Sequence, residues 1–316
     1  MIAPANHPMI QLRRLHRFFG ATKAVNDVSF EVEAGQVFGY IGPNGAGKTT
    51  SMRILATLEL PDYGDALVDG FSVINDPDRV RRRLGFMPDN FGTYPNMNCV
   101  EYLDFFARSY GLVGRERTKR LRHTLAFTGL DKIAEKSIRG LSKGMRQRLC
   151  LGRAMIHDPA VLILDEPANG LDPRARIELR CMIRELAANG KSLLVSSHIL
   201  TELGEMCDTI GIIERGQLLV TGSVAEIQSR LKPHVDVAVH VVERAGAFAI
   251  WLDDQTDVSK IKTSDLVVRF QFLAGQREQA ELLAGAVRAG FLISEFRAES
   301  HTLEDVFLQI TTGAVQ

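Results

Sequence analysis

Apolar and polar residues follow two different periods along this chain, and the period changes at definite points. Gln11 to Leu15 and Val28 to Val32 read as strands, with a polar hairpin region between them. Val37 to Ile41 is a short apolar run, followed at once by Gly42-Pro43-Asn44-Gly45-Ala46-Gly47. Thr49 to Leu58 then has helical character. The order is strand, glycine loop, helix.

From about Arg79 to Gly140 the pattern is helical and charged. Val100 to Tyr110 places Tyr102, Phe105 and Phe106 at helical spacing, and Arg115 to Phe127 reads as a basic helix. An Arg/Lys run of this kind is a solvated helix face before it is a nucleic-acid site. Val161 to Leu164 returns to strand, and Arg174 to Ala188 reads as a helix ended by Asn189-Gly190. Ser192 to Ser196 and Ile210 to Glu214 are further strands. Strands alternating with helices predict an α/β core with a mostly parallel sheet. The helical stretch, about residues 90–160, is then an insertion between two halves of that core.

Near Lys232-Pro233 the texture changes. Val235 to Val242 and Leu266 to Phe272 read as strands, and Glu278 to Ala289 as a helix. From Pro233 onward there are seven Lys and Arg against twelve Asp and Glu, a net of −5, while the rest of the chain carries +5. The charge split predicts two domains: a core over 9–232 and a small α+β accessory domain over 233–316. A length of 316 residues fits two domains at about 150 residues each.

Charge and cysteine usage narrow the function. The whole chain has a net charge of +0, which argues against a protein that coats nucleic acid. Cys99, Cys150, Cys181 and Cys207 form no CxxC pair, so a thiolate zinc site is not expected. No apolar run approaches the ~20 residues that span a bilayer. Action on a membrane would therefore need a partner that crosses it.

Gly42-Pro43-Asn44-Gly45-Ala46-Gly47-Lys48-Thr49 fits G-x-x-x-x-G-K-[ST] in its proper context, after a strand and opening a helix. Glycines let the backbone wrap a phosphate with its N–H groups inward, and the helix N-terminus favours an anion. Lys48 is placed to reach the β- and γ-phosphates, and the Thr49 hydroxyl to ligate Mg²⁺. Val161 to Leu164 ends in Asp165-Glu166, where Asp165 suits a Mg²⁺ site and Glu166 can orient or deprotonate an attacking water. His198 stands at a later strand end, and parallel strands present such ends at one edge, which makes it a candidate γ-phosphate contact. Ser142 reads as a helix N-cap, with Gly144 allowing close approach. Taken alone, that segment is equally a capped helix after a loop.

In this order the motifs resemble the ATP-binding cassette (ABC) family of transport ATPases. Its phosphate loop is similar to Gly42–Thr49, and its signature Leu-Ser-Gly-Gly-Gln resembles Leu141-Ser142-Lys143-Gly144-Met145. Its Asp-Glu strand matches Val161 to Glu166, its aspartate loop Gly170-Leu171-Asp172-Pro173, and its switch histidine His198. The resemblance covers roughly residues 10–225. It implies a phosphate-loop cassette with an antiparallel β subdomain beside the parallel core, binding ATP and Mg²⁺.

The resemblance further implies that two cassettes meet head to tail, most simply as a homodimer. Ser142, Gly144 and Met145 of one copy would close over the nucleotide held by Gly42 to Thr50 of the other, with Asp172 coupling across. Glu166, Lys48 and His198 would be catalytic, and Thr49, Asp165 and Asp89 metal-facing. Phe19 matches the aromatic that stacks on adenine, with a core phenylalanine as its alternative. Asp89 stands where the family has glutamine, Met145 replaces the signature glutamine, and Ala168 replaces a common threonine. These substitutions, and the tail Thr302 to Leu308, resemble the bacterial drug- and polysaccharide-export branch.

That branch implies a peripheral protein on the cytoplasmic face of the cell membrane, beneath a multispanning permease that docks near Asp89 to Glu101, at Phe91, Tyr94 and Pro95. The competing readings are a soluble ABC ATPase acting on ribosomes or DNA, and a low-turnover nucleotide sensor. A single phosphate loop, no extended heptads and no CxxC weigh against the first.

Overall fold

In the computed structural model the apolar run Val37–Ile41 is strand β3, buried at all five positions near the middle of a six-stranded sheet. The structure describes residues 7–90, 92, 94, 96–199, 203–223, 226–227, 235–273 and 276–299. Contacts divide the chain into two units at Val224/Ala225.

The first unit holds two sheets. One is antiparallel, with strands β1 (Ile10–Phe19), β2 (Thr22–Val32), β4 (Tyr63–Val68) and β5 (Phe71–Ser72) in the order β2-β1-β4-β5. The second contains β3, β6 (Leu84–Met87), β7 (Val161–Leu164), β8 (Ser192–Ser197), β9 (Thr209–Glu214) and β10 (Gln217–Ser223), in the order β10-β9-β3-β8-β7-β6. All its pairings are parallel except β9 with β10. Parallel strands covered on both faces are largely apolar, and β7 and β8 are buried at every position, the three serines of β8 included. β2 instead alternates, with Val28, Phe30 and Val32 inward and Ser29 and Glu31 outward. Phe30 stacks on Phe38 with centroids 4.7 Å apart, so the two sheets share one core.

Helices α1 (Lys48–Leu55), α2 (Pro77–Arg83) and α6 (Pro173–Ala188) flank the sheets. Helices α3 (Cys99–Ser109), α4 (Gly114–Phe127) and α5 (Lys143–Met155) form the insertion, with a core of their own around Tyr102, Leu103, Leu125 and Leu149. Asn98 starts α3 in a reciprocal cap with Glu101, at 2.8 and 2.9 Å.

The helical reading of Arg79 to Gly140 needs one correction. Leu84–Met87 is a strand, in register with Val161–Leu164 of β7. A Cβ on Gly85 would lie 2.1 Å from the Ala154 carbonyl oxygen, so only glycine lets α5 lie this close to β6.

The second unit runs β11 (Val235–Val241), α7 (Ala245–Asp253), β12 (Val258–Ser264), β13 (Val267–Phe272), α8 (Gln276–Arg288), β14 (Ile293–Glu299). Its antiparallel order β12-β13-β11-β14 is the split βαβ arrangement. Val237, Val239, Phe270 and Phe272 of the sheet pack with Phe248, Leu252, Leu282 and Phe291. The domain boundary expected at Lys232-Pro233 and the closing helix expected over Thr302 to Leu308 lie outside the described residues.

One buried histidine gives the first unit a pH dependence. The His157 ring stacks on Tyr110, centroids 3.7 Å apart and 6° from parallel. Its Nε2 donates to the Leu84 carbonyl at 3.1 Å, and Nδ1 is buried without a partner. Burial pushes its pKa down to about 4, against the opposing pull of the Leu84 carbonyl and Asp158. The unfolded chain therefore takes up this proton first, near pH ~6.5. Stability is fully present above about pH 6.5 and is lost as pH falls to about 4, by up to roughly 3 kcal/mol. Urea unfolding followed across that window should show the loss, and His157→Phe, which cannot titrate, should flatten it.

Candidate functional site

The glycine loop is built by positions where a side chain cannot fit. Gly45 and Gly47 have φ of 81° and 104°, a region L-residues rarely adopt. A Cβ on Gly47 would lie 2.1 Å from the Ala24 carbonyl oxygen, and one on Gly42 2.2 Å from that of Ile213. Helix α1 starts directly at Lys48 with no side-chain cap, which leaves its first-turn N–H groups for an incoming acceptor.

The Lys48 ammonium is buried. It donates to the carbonyls of Gly42 at 2.6 Å and Pro43 at 3.2 Å, and lies 3.5 Å from Glu166 Oε1. Burial lowers its pKa, and the charges of Glu166 and Asp165 oppose that shift. Asp165 ends β7 with 1% of its surface exposed. Burial raises its pKa, opposed by hydrogen bonds from Ser196 and Thr49. Glu166 has a left-handed backbone, φ 48°. Its Oε2 is 2.8 Å from His198 Nδ1, while Oε1 is buried without a hydrogen bond.

Lys48, Glu166 and His198 line one polar cavity of ≈ 480 Å³. Its floor is Asn44 to Thr50, and Asp89, Glu166, Asn169 and His198 line it as well. Asp89 accepts from Asn169 Nδ2 at 3.2 Å. The chemistry fits a magnesium triphosphate: a buried cation with only carbonyls and one carboxylate as partners, free helix-start N–H groups, the Asp165 carboxylate beside the Thr49 hydroxyl, and Asp89 in the cavity lining.

Ser142, Gly144, Met145 and Asp172 lie elsewhere, in a second cleft of ≈ 130 Å³. Ser142 Oγ caps α5 by accepting from the Met145 N–H at 3.2 Å, and Asp172 Oδ1 caps α6 by accepting from the Ala175 N–H at 3.0 Å. A Cβ on Gly144 would sit 3.1 Å from that of Ala175, so glycine is what lets α5 start against α6. No residue lines both clefts. Phe19 is 49% exposed, with the Arg17 guanidinium 4.7 Å from its ring centre, so it is not a core phenylalanine. It does not line the first cavity.

Sequence reasoning missed Ser196 and Asn169. Ser196 carried a signal, standing two residues before His198 at a strand end. Asn169 carried none beyond its closeness to Asp165-Glu166.

A glycine loop between a parallel strand and a helix, with a buried lysine beside two carboxylates that follow another strand of the same sheet, defines a phosphate-loop nucleoside triphosphatase. The ABC transporter family pattern matches residues 25–169. The Nod factor export ATP-binding protein I of Cupriavidus pinatubonensis is 34% identical over 98% of this chain and 92% of its own. The linearmycin resistance ATP-binding protein of Bacillus subtilis is 29% identical over 96% of this chain and 98% of its own. A solved ATP-binding subunit of an ABC transporter superimposes with a TM-score of 0.64 at 30% identity, over 70% of this chain and 92% of that one. The chain belongs to the ABC transporter family and is one of its ATP-binding, ATP-hydrolysing subunits.

Proposed function

We propose that this chain powers export through a separate multispanning permease, by ATP-driven closure of two copies on the cytoplasmic face of the cell membrane. The observation that carries the reading is the separation of the two phosphate-facing clefts. Lys48 lies in one and Ser142 in the other, with no residue shared. The signature residues therefore do not line the nucleotide cavity of their own chain. A second copy, arranged head to tail, supplies the missing half to each site.

In this reading Gly42 to Thr50 hold the triphosphate, and Phe19, exposed at the end of β1, stacks on the adenine. Thr49, Asp165 and Asp89 hold Mg²⁺. When bound, the metal neutralises charge on the β- and γ-phosphates. Glu166 orients the attacking water and accepts its proton, and His198, bonded to Glu166, fixes that carboxylate. Ser142, Gly144 and Met145 close on the other copy's nucleotide, with Asp172 beside them.

Export is supported by relatives named for Nod factor export. Among the described residues no helix is long and apolar enough to cross a membrane, so the proposed permease supplies the path. It docks around Asp89 to Glu101, where Tyr94 is half-exposed and packs on Phe105 at 5.9 Å. Phe91 and Pro95, expected in the same contact, lie outside the described residues. The division into a cassette over 9–232 and an accessory domain over 233–316 belongs to the same proposal.

Purification of the tagged chain from detergent-solubilised membranes tests it. A stoichiometric multispanning protein should copurify. Recovery with ribosomes or DNA alone contradicts the reading.

A further inference from the structure

Ser196 lies near the end of β8 with none of its surface exposed. It belongs to no motif of the chain and does not line the cavity. Its hydroxyl nevertheless meets both residues at the tip of the adjacent strand. The Glu166 backbone N–H donates to Ser196 Oγ at 2.8 Å, and Ser196 Oγ donates to Asp165 Oδ1 at 2.7 Å. Chemistry fixes these directions. A backbone N–H can only donate, and the one hydroxyl proton goes to the carboxylate. The parallel register, with Leu164 opposite Val195, is what sets Ser196 beside Asp165.

The bond from the Glu166 N–H matters because of the backbone it holds. Glu166 sits at φ 48°, where residues with a side chain are rarely found unless their surroundings hold them. That turn places its carboxylate 3.5 Å from Lys48 and 2.8 Å from His198. Without Ser196 the Glu166 N–H would lose its acceptor, and Asp165 one of the two hydroxyls, Ser196 and Thr49, that bond it.

We propose that Ser196 is a positioning residue for ATP hydrolysis: one buried hydroxyl that fixes the Asp165 carboxylate toward the metal and the Glu166 turn toward the attacking water. The inference rests on the roles proposed above for Asp165 and Glu166. Ser196 acts through them and not on the nucleotide.

Two variants test it. In Ser196→Ala, with no ligand present, the Glu166 amide should exchange with deuterium about tenfold or more faster than in the parent. ATP affinity without magnesium should stay within about twofold, because Lys48 and the loop keep their partners, while the gain in affinity on adding magnesium shrinks. Turnover should fall in kcat by about ten- to a hundredfold, with KM rising by no more than the magnesium gain that is lost. Ser196→Cys restores the volume with a weak hydrogen-bonding group and should stay impaired. If Ser196→Ala does not fold, Ser196→Cys carries the same measurements. Unchanged Glu166 exchange, a magnesium gain and kcat within about twofold of the parent, or full recovery in Ser196→Cys each overturn the proposal. Failure of the underlying reading looks different: Glu166→Gln would keep normal turnover, while amide exchange would still report on Ser196.

Discussion

Lys48→Ala lowers ATP affinity by about a hundredfold or more. The ammonium is 5% exposed and has already lost most of its water, which the carbonyls of Gly42 and Pro43 and the Glu166 carboxylate replace only in part. A triphosphate supplies what is missing, several anionic oxygens in place of one carboxylate 3.5 Å away. Removing one partner of a buried charge pair costs about 2–5 kcal/mol, roughly thirty- to several thousandfold in affinity. Titration of a fluorescent ATP analogue measures it directly. Affinity retained within about threefold removes the loop from the nucleotide site.

Glu166→Gln separates binding from turnover. Gln keeps the length and an oxygen for His198, and it leaves the Lys48 contacts with Gly42 and Pro43 untouched. ATP binding should therefore persist. What disappears is the proton acceptor, and removal of a general base lowers kcat by about 10²–10⁴-fold. Phosphate release at saturating ATP checks it. A normal rate would transfer the catalytic role to another group, and Asp89 is the other carboxylate lining the cavity.

How much of this was legible depended on how local each cause is. The phosphate loop is eight contiguous residues whose glycines answer to backbone geometry, so its place between β3 and α1 could be read directly. Ser142 was readable as a cap because capping involves residues three apart, and the structure shows that bond to Met145. Strand β6 was not readable. Four residues after the basic run Arg79 to Arg83 carry no period of their own, and what makes them a strand is pairing with Val161–Leu164, far along the chain.

The same holds for the short strands β4 and β5, and for α7 and β12 of the second unit, whose faces are defined by the sheet they cover. In the site, Lys48, Asp165, Glu166 and His198 were each marked by a motif. The contacts that tie them together were not. Ser196 and Asn169 are ordinary residues until the fold sets one against Asp165 and the other against Asp89. Phe19 shows the reverse. Its side chain is exposed, but the cavity residues on their own do not include it.

The account depends on a nucleotide held jointly by two copies of this chain. Light scattering of Glu166→Gln with ATP and magnesium addresses it, with and without a second change, Ser142→Phe. The single variant should show twice the mass of one chain, and only when ATP is present. The double variant should still bind ATP through Lys48 and the glycine loop yet stay monomeric, because the bulky ring introduced by the second change obstructs the helix start that faces the other copy's phosphate. Equal dimer formation by both variants would contradict a shared grip, and so would a single variant that stays monomeric at saturating ATP.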